Sequence, residues 1–247
     1  MNQPNQPKDK DDASELETRA ARAAAHWHAD QKRKYDAGPY ITHPEAVAAI
    51  VRSVPHTPEM LAAAWLHDVA EDTGVPLERI RDEFGAEVAM LVEALTKVSR
   101  PEDGDRATRK ALDREHTRRA CPAAKTIKLA DVIDNCETIA ERDPDFARGY
   151  LEEKRMLLDA LREGDATLWA RAHRIVTEAS LVLRGALPVP PEIARAMAYA
   201  AEHPEKAMTL TPAEMQQWQA SGEWPERLES LGNVPEGWEP SREKNKP

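Results

Sequence analysis

The most chemically loaded stretch of the sequence is His67-Asp68-Val69-Ala70-Glu71-Asp72, which closes the apolar run Met60, Leu61, Ala64, Trp65, Leu66. Burying several ionisable groups at the end of an apolar helix is unfavourable unless something compensates them, and a divalent cation is the simplest compensation. Residues four apart stand one turn above each other on a helix, so Glu71 and Asp72 are expected to stack over His67 and Asp68. The competing reading is a helix end that breaks into solvent, its acids paired with arginines. His43, held between Tyr40-Ile41 and Pro44, is a second candidate, with a structural histidine as the alternative. Asp131 lies in Lys128-Leu129-Ala130-Asp131-Val132-Ile133-Asp134-Asn135, flanked by aliphatic residues. A mid-helix carboxylate in such company either pairs with a base, here Lys128, or binds a metal. Together His43, His67, Asp68 and Asp131 offer two imidazoles and two carboxylates, a mixed N/O set suited to Mn²⁺, Fe²⁺, Zn²⁺ or Mg²⁺ with positions left open. A cation with positions left open can bind a water and lower its pKa, while a nearby carboxylate accepts the proton.

The elements that must position these residues read as helices. The 247 residues include only 10 Gly and 5% aromatics, with abundant Ala, Glu, Leu and Arg, which leaves little material for strands. A first helix is expected from Ser14, capped with Glu17 three residues on, with Leu16, Ala20, Ala23, Ala24 and Trp27 on one stripe. Asp36-Ala37-Gly38-Pro39 is a turn by composition, and Pro44 suits the first position of a second helix. Thr57-Pro58-Glu59 starts the helix that ends at His67-Asp68. Pro76 opens a short helix to Phe84, Gly85 closes it, and Val88, Leu91, Val92 and Leu95 mark the next. The segment from Ser99 to Asp105 has the composition of a mobile loop. One helix is expected over about residues 123–140, then others near 146–161 and 166–183. These make a bundle over residues 13–184, with residues 1–12 as a disordered tail and 185–247 as a helical extension ending in a disordered tail. Trp218, Trp224 and Trp238 are expected to dock part of that extension.

Charge and cysteine content narrow the function. With 34 Lys+Arg against 44 Asp+Glu the formal charge is −10, which argues against general nucleic-acid affinity. Between Lys97 and Lys128, however, ten basic residues face five acidic ones, a local excess suited to an anion-facing rim. Cys121 and Cys136 lack any pairing pattern and fit a reducing cytosol as packing residues. No apolar run is long enough for a bilayer span, and the first dozen residues hold no secretion-type apolar segment. A cytoplasmic protein acting on a small anionic molecule is therefore expected, and self-association stays open. His26, His28, His56, His116, His173 and His203 read as surface or packing residues.

The order His, His-Asp, Asp resembles that of the HD metal-dependent phosphohydrolases, and most closely the hydrolase domain of the RelA/SpoT homologues of the small alarmone hydrolase type. The resemblance runs over about residues 19–160. Its motifs are His28-Ala-Asp-Gln31-Lys-Arg33-Lys34, Gly38-Pro39-Tyr40-Ile41-Thr-His43-Pro44, Ala63-Ala64-Trp65-Leu66-His67-Asp68-Val69-Ala70-Glu71-Asp72-Thr73, Val92-Glu93-Ala94-Leu95-Thr96-Lys97, and Lys128-Leu129-Ala130-Asp131 with Asn135. It implies an all-α HD-domain bundle that binds one Mn²⁺ through His43, His67, Asp68 and Asp131. It also implies removal of the 3′-diphosphate of guanosine tetra- and pentaphosphate as pyrophosphate. Glu71 and Asp72 match the acidic pair that positions and activates water, Arg33 and Lys34 a basic pair near the nucleotide, and Asn135 a residue at the nucleoside. Lys97 and Lys128 belong to the expected basic substrate rim. A chain of this length is expected to degrade the nucleotide without also making it. The alternatives are an HD phosphohydrolase for another nucleotide, such as an adenosine alarmone, a dinucleotide phosphate or a deoxynucleotide, and a non-catalytic nucleotide-binding regulator.

Overall fold

The computed structural model describes residues 8–184 apart from Asp36, with side chains from Ser14 onward. The expected extension after Gly185, with its three tryptophans, and the first seven residues of the expected tail lie outside the described residues. Among the described residues the regular structure is helical, with one isolated antiparallel bridge between Lys32 and Pro39. None of these helices is long and apolar enough to cross a membrane.

Helix α1 spans Lys8–Trp27, so it begins upstream of Ser14, which is not its cap. Nothing in the sequence between Pro7 and Ser14 is a Gly, a Pro or a β-branched residue, so no breaker holds the start at Ser14. The expected stripe is where the helix docks: Ala20 and Ala24 are fully buried, and Leu16, Ala23 and Trp27 pack against the core. The turn after α1 is closed by Arg33 N–H donating to Gly38 O (2.8 Å) and Tyr40 N–H to Gln31 O (3.0 Å).

Helix α2 is Thr42–Arg52, which puts Pro44 at its third position rather than its first. Any first-turn position tolerates proline, because those N–H groups have no partner within the helix. Helix α3, Pro58–Leu66, starts as expected: Thr57 is extended and its Oγ1 accepts from Met60 N–H at 3.3 Å. Because α3 delivers His67 and Asp68, this cap bears on the site. Thr57→Ala is expected to lower stability by about 1 kcal/mol, the usual worth of an N-cap, read as a lower denaturation midpoint at unchanged m-value.

The chain turns at His67 and Asp68 and re-enters a short α4, Val69–Asp72. Helices α5, Leu77–Phe84, and α6, Ala86–Leu95, follow on either side of Gly85, whose φ of 95° is a conformation only glycine adopts readily. Within the loop from Ser99, Pro101–Asp103 forms a 3₁₀ turn closed by Arg100 N–H donating to Asp103 at 2.6 Å.

Helix α7, Arg106–Arg119, has no counterpart in the hydropathy pattern: of its 14 residues only Thr117 is buried. Helix α8, Pro122–Cys136, is the axis of the bundle, with Ile127, Leu129, Ala130, Val132 and Ile133 fully buried. It packs against α2, α3, α6 and, on its far side, α11 (Ala166–Leu183). Each fully buried Leu, Ile or Val contributes about 1.5–3 kcal/mol, so α8 is anchored well enough to carry a buried carboxylate. The single helix expected over 123–140 is broken: α8 ends at Cys136, Thr138 leaves helical geometry (φ −123°, ψ 1°), and α9, Ile139–Arg142, restarts. Helix α10, Pro144–Ala160, completes the described bundle.

Candidate metal centre and active site

Three elements bring the expected ligands together: α2 supplies His43, the turn after α3 supplies His67 and Asp68, and α8 supplies Asp131. His43, His67 and Asp131 are buried at 2%, 1% and 5% exposure. His43, His67 and Asp68 each offer a ligand atom within 4.8 Å of the others. His67 Nε2 lies 3.1 Å from Asp68 Oδ2, and His43 Nε2 lies 3.6 Å from the same oxygen. Asp131 Oδ1 is 3.4 Å from His43 Nε2 and 4.0 Å from His67 Nε2. Neighbouring ligands of an octahedral ion with bonds of ~2.1 Å stand ~3 Å apart, and opposite ones ~4.2 Å. The spacings of Asp68 and of Asp131 to the two imidazoles fall between these limits, while the group whose ligand atoms all lie within 4.8 Å of one another comprises His43, His67 and Asp68 and leaves Asp131 at its edge.

The tautomers also fit a cation. His67 Nδ1 is 2.9 Å from the Ala64 carbonyl, which only accepts, so Nδ1 carries the proton and Nε2 presents a lone pair. That Nε2 is buried and has no hydrogen-bond partner. His43 Nδ1 donates to Asp134 Oδ2 at 2.6 Å, leaving its Nε2 for the cluster. A ligating histidine whose second nitrogen donates to a carboxylate or carbonyl is the usual arrangement around a bound metal, because it fixes the ring and raises its basicity. Two Nε2 lone pairs facing two carboxylates are repulsive until a proton or a metal cation enters, and the donor set fits a hard or borderline divalent ion.

Charge shifts report the same need. Burial opposes a charged His43, but Asp131 and Asp134 outweigh it and the imidazole is pushed up to about 9. His67 is also raised, Asp68 overriding its burial. Burial pushes Asp131 up, yet Lys128 and His43 hold it well below the usual carboxylate range. In the metal-free fold the proton on His43 therefore adds stability fully below its unfolded value of ~6.5, and that contribution disappears as pH rises through about 9. A divalent ion replaces the proton. The increase in Tm that Mn²⁺ produces over an EDTA-treated sample is thus expected to grow between these two pH values; an increase that shrinks over this range contradicts the ligand role of His43.

Supporting residues surround the four. Tyr40 O–H donates to Asp68 Oδ2, and burial together with Asp68 raises the phenol so that it stays protonated. His28, buried and bonded through Nδ1 to Gln31 at 2.6 Å, packs its ring 4.8 Å from that of Tyr40, and its Nε2, like that of His67, is buried without a hydrogen-bond partner. Asp134 holds His43 and is itself held by Arg33 Nη1 at 2.9 Å. Removing this carboxylate frees the ring, so Asp134→Ala is expected to weaken metal affinity by about 10- to 100-fold, measured by competition with a fluorescent chelator.

Other expected site residues have protein partners of their own. Arg33 stands behind His43, through Asp134. Lys34 is exposed and donates to Tyr35 Oη at 2.9 Å and Asp143 at 3.1 Å. Asn135 Nδ2 donates to Asp131 Oδ1, and Lys128 Nζ is 2.9 Å from Asp131 Oδ2, so Asp131 combines both readings of the sequence, a paired carboxylate and a ligand position. Glu71 accepts from Lys97 through both its backbone N–H (2.7 Å) and its ammonium. Asp72 closes the turn, its N–H donating to Asp68 O at 2.9 Å, while its side chain reaches solvent. Partial burial and the negative charges of Asp68 and Glu71 push the Asp72 carboxyl up. The sequence pattern passed over Asp134 and Tyr40 as site residues. Asp134 and Tyr40 each lie three positions from a ligand, Asp131 and His43, and this spacing was the available signal.

Residues 20–160 match the HD-domain family. The chain is an HD-domain protein. It is 38% identical over 153 residues to a GTP pyrophosphokinase of Streptomyces coelicolor, covering 60% of this chain and 18% of that one. It is 40% identical over 134 residues to a probable guanosine-3′,5′-bis(diphosphate) 3′-pyrophosphohydrolase of Synechocystis, covering 52% and 17%. With MESH1 of Mus musculus, named guanosine-3′,5′-bis(diphosphate) 3′-pyrophosphohydrolase, it shares 38% identity over 128 residues, covering 51% of this chain and 70% of the relative. The HD-domain protein thus spans under a fifth of its Streptomyces and Synechocystis relatives. Among solved structures, a metazoan ortholog of SpoT described as hydrolysing ppGpp superposes with a TM-score of 0.58 at 27% identity, covering 76% of this HD-domain protein and 100% of that chain.

Proposed function

We propose that this HD-domain protein is a Mn²⁺-dependent pyrophosphohydrolase that removes the 3′-diphosphate of guanosine 3′,5′-bis(diphosphate) as pyrophosphate. The observation that carries the reading is the convergence of two imidazole Nε2 atoms with two carboxylates, in a chain among whose relatives are proteins named for this activity. His43, His67, Asp68 and Asp131 hold the ion, and a hard or borderline metal such as Mn²⁺ suits a set without thiolates. The ion, when bound, lowers the pKa of a water and offsets charge on phosphoryl oxygens.

The remaining residues orient groups and move the proton. Asp72, with its raised carboxyl and its access to solvent, takes the proton from the attacking water. Glu71 fixes Lys97 at the rim of the site. Tyr40 keeps Asp68 in place, Asn135 and Lys128 keep Asp131 in place, and Arg33 secures His43 through Asp134. Substrate contact by Arg33, Lys34, Asn135, Lys97 and Lys128 belongs to the same proposal, as do a hydrolase module at residues 13–184, an extension at 185–247 and a cytoplasmic location. The acidic total favours a small nucleotide over nucleic acid as the substrate.

The test is incubation with guanosine tetraphosphate and Mn²⁺, with phosphorus NMR of the products. Equimolar pyrophosphate and guanosine 5′-diphosphate are expected. Release of orthophosphate alone would move the protein to another HD phosphohydrolase activity, and binding without release would make it a nucleotide-binding regulator.

A further inference from the structure

The carboxylate assigned as the base stands on a weak element. Asp72 ends α4, a helix of four residues, and a single helical turn has little stability of its own because its nucleation is unfavourable. The side chain reaches solvent, so packing alone does not hold it, and its position follows that of its main chain. Within the turn, Asp72 N–H donates to Asp68 O at 2.9 Å, and Thr73 N–H and Oγ1 both donate to Val69 O, at 3.1 and 2.7 Å. The Asp72 carbonyl lies at the end of this short ladder, where a helix leaves its carbonyls without partners. Its partner comes from 41 positions away: Gln31 Nε2 donates to it at 2.7 Å.

Gln31 is itself held firmly. Its N–H donates to His28 O and its carbonyl accepts from Tyr40 N–H, both at 3.0 Å. The Asp72 carbonyl only accepts, so the Gln31 amide turns its NH₂ group there and leaves Oε1 for His28 Nδ1, 2.6 Å away, which is then the donor. His28 is 2% exposed, its main-chain N–H donates to Ala24 O at 3.0 Å, and its ring lies 4.8 Å from that of Tyr40. Burying an imidazole whose Nε2 has no hydrogen-bond partner is unfavourable, and an apolar ring would fill the space without that penalty. What His28 contributes is one directed N–H bond, which fixes the Gln31 amide in the orientation that serves Asp72. Tyr40, packed on the same imidazole, donates to Asp68 Oδ2 and is within hydrogen-bonding reach of the Asp72 carboxyl as well.

We propose that Gln31, oriented by His28, is a positioning residue for proton transfer: it anchors α4 at the Asp72 carbonyl and so keeps the Asp72 carboxylate where it can take the proton from water. The proposal rests on the hydrolase reading above and on Asp72 as its base. Displacing a reacting group by about 1 Å lowers a rate by about 10²-fold, so the anchor of a one-turn helix has a leverage on kcat that a single hydrogen bond lacks on global stability.

The test measures pyrophosphate release from guanosine tetraphosphate by the full-length protein with Mn²⁺. Gln31→Met, which keeps the side-chain length and removes both amide bonds, is expected to lower kcat by about 10- to 100-fold, with KM and metal content within about twofold of wild type. Gln31→Glu keeps an acceptor for His28 but sets a carboxylate against the Asp72 carbonyl, and is expected to be as slow. His28→Phe should slow turnover less and add nothing to Gln31→Met. A double-mutant cycle separates positioning from a general structural role: in an Asp72→Asn background, Gln31→Met should lower the residual rate by no more than about twofold. An unchanged kcat in Gln31→Met, full activity in Gln31→Glu, or the same penalty with and without the Asp72 carboxylate overturns the proposal. A raised KM at wild-type kcat overturns it too, and makes Gln31 a substrate contact. Amide hydrogen exchange judges the anchor without turnover: at Asp72 and Thr73 it should be at least about tenfold faster in Gln31→Met, with exchange in α8 unchanged, and equal rates at these two amides refute the anchor. Absence of pyrophosphate release by the wild type refutes the hydrolase reading, while the exchange rates still decide whether Gln31 holds α4.

Discussion

Asp68→Asn is expected to abolish stable metal binding and to lower pyrophosphate release by about 10³-fold or more, corresponding to several kcal/mol of lost charge stabilisation. The reason is geometric. Asp68 Oδ2 faces both imidazoles, at 3.1 Å from His67 Nε2 and 3.6 Å from His43 Nε2, so its charge serves the whole cluster. The Asn side chain keeps the volume and can still accept the Tyr40 hydroxyl proton, so the fold is expected to persist, with an unchanged far-ultraviolet circular dichroism spectrum. Metal analysis by plasma spectrometry should fall from about one ion per chain to a small fraction. A variant that keeps its full stoichiometry would remove Asp68 from the ligand set.

Asp72→Asn is the complementary case, in which metal stays and chemistry slows. Its carboxyl is the one near the cluster that is raised rather than lowered, through partial burial and the charges of Asp68 and Glu71. A base whose pKa lies closer to neutrality holds a proton more readily in the transition state. Loss of such a group typically lowers kcat by about 10²- to 10⁴-fold. Metal content and substrate KM are expected to stay within a few-fold of wild type. Glu71→Gln should slow turnover less, because both Glu71 oxygens are already engaged by Lys97. Equal kcat for wild type and Asp72→Asn would assign proton transfer to another group.

The two largest expected effects fall on residues visible in the sequence, and the reason is the unfavourable burial of charge. His67-Asp68 at the end of an apolar helix and Asp131 among aliphatic residues are conspicuous because nothing local compensates them, and the structure brings them to one point. Helix α3 was equally legible, since Thr57 and Pro58 give its start and an unbroken apolar run gives its burial.

Helix α7 was hidden for the opposite reason. With Thr117 as its only buried residue it has no apolar stripe, and its helicity rests on propensity and the Asp105 cap. The start of α1 was misplaced because Ser14 and Glu17 look like a capping box, whereas Glu17 accepts from Trp65 Nε1 at 3.2 Å and also pairs with Arg52, so it is committed to tertiary contacts. Long-range pairs of this kind leave no local trace. Arg33 was assigned to substrate from its place in a motif, and its partner Asp134, 101 positions away, becomes visible only in three dimensions.

The most direct measurement of the central claim is anomalous diffraction from crystals grown with Mn²⁺. One peak is predicted, ~2.0–2.3 Å from His43 Nε2, His67 Nε2, an Asp68 carboxylate oxygen and Asp131 Oδ1 together. A metal peak bound elsewhere, or none between the two imidazoles at saturating Mn²⁺, would contradict it.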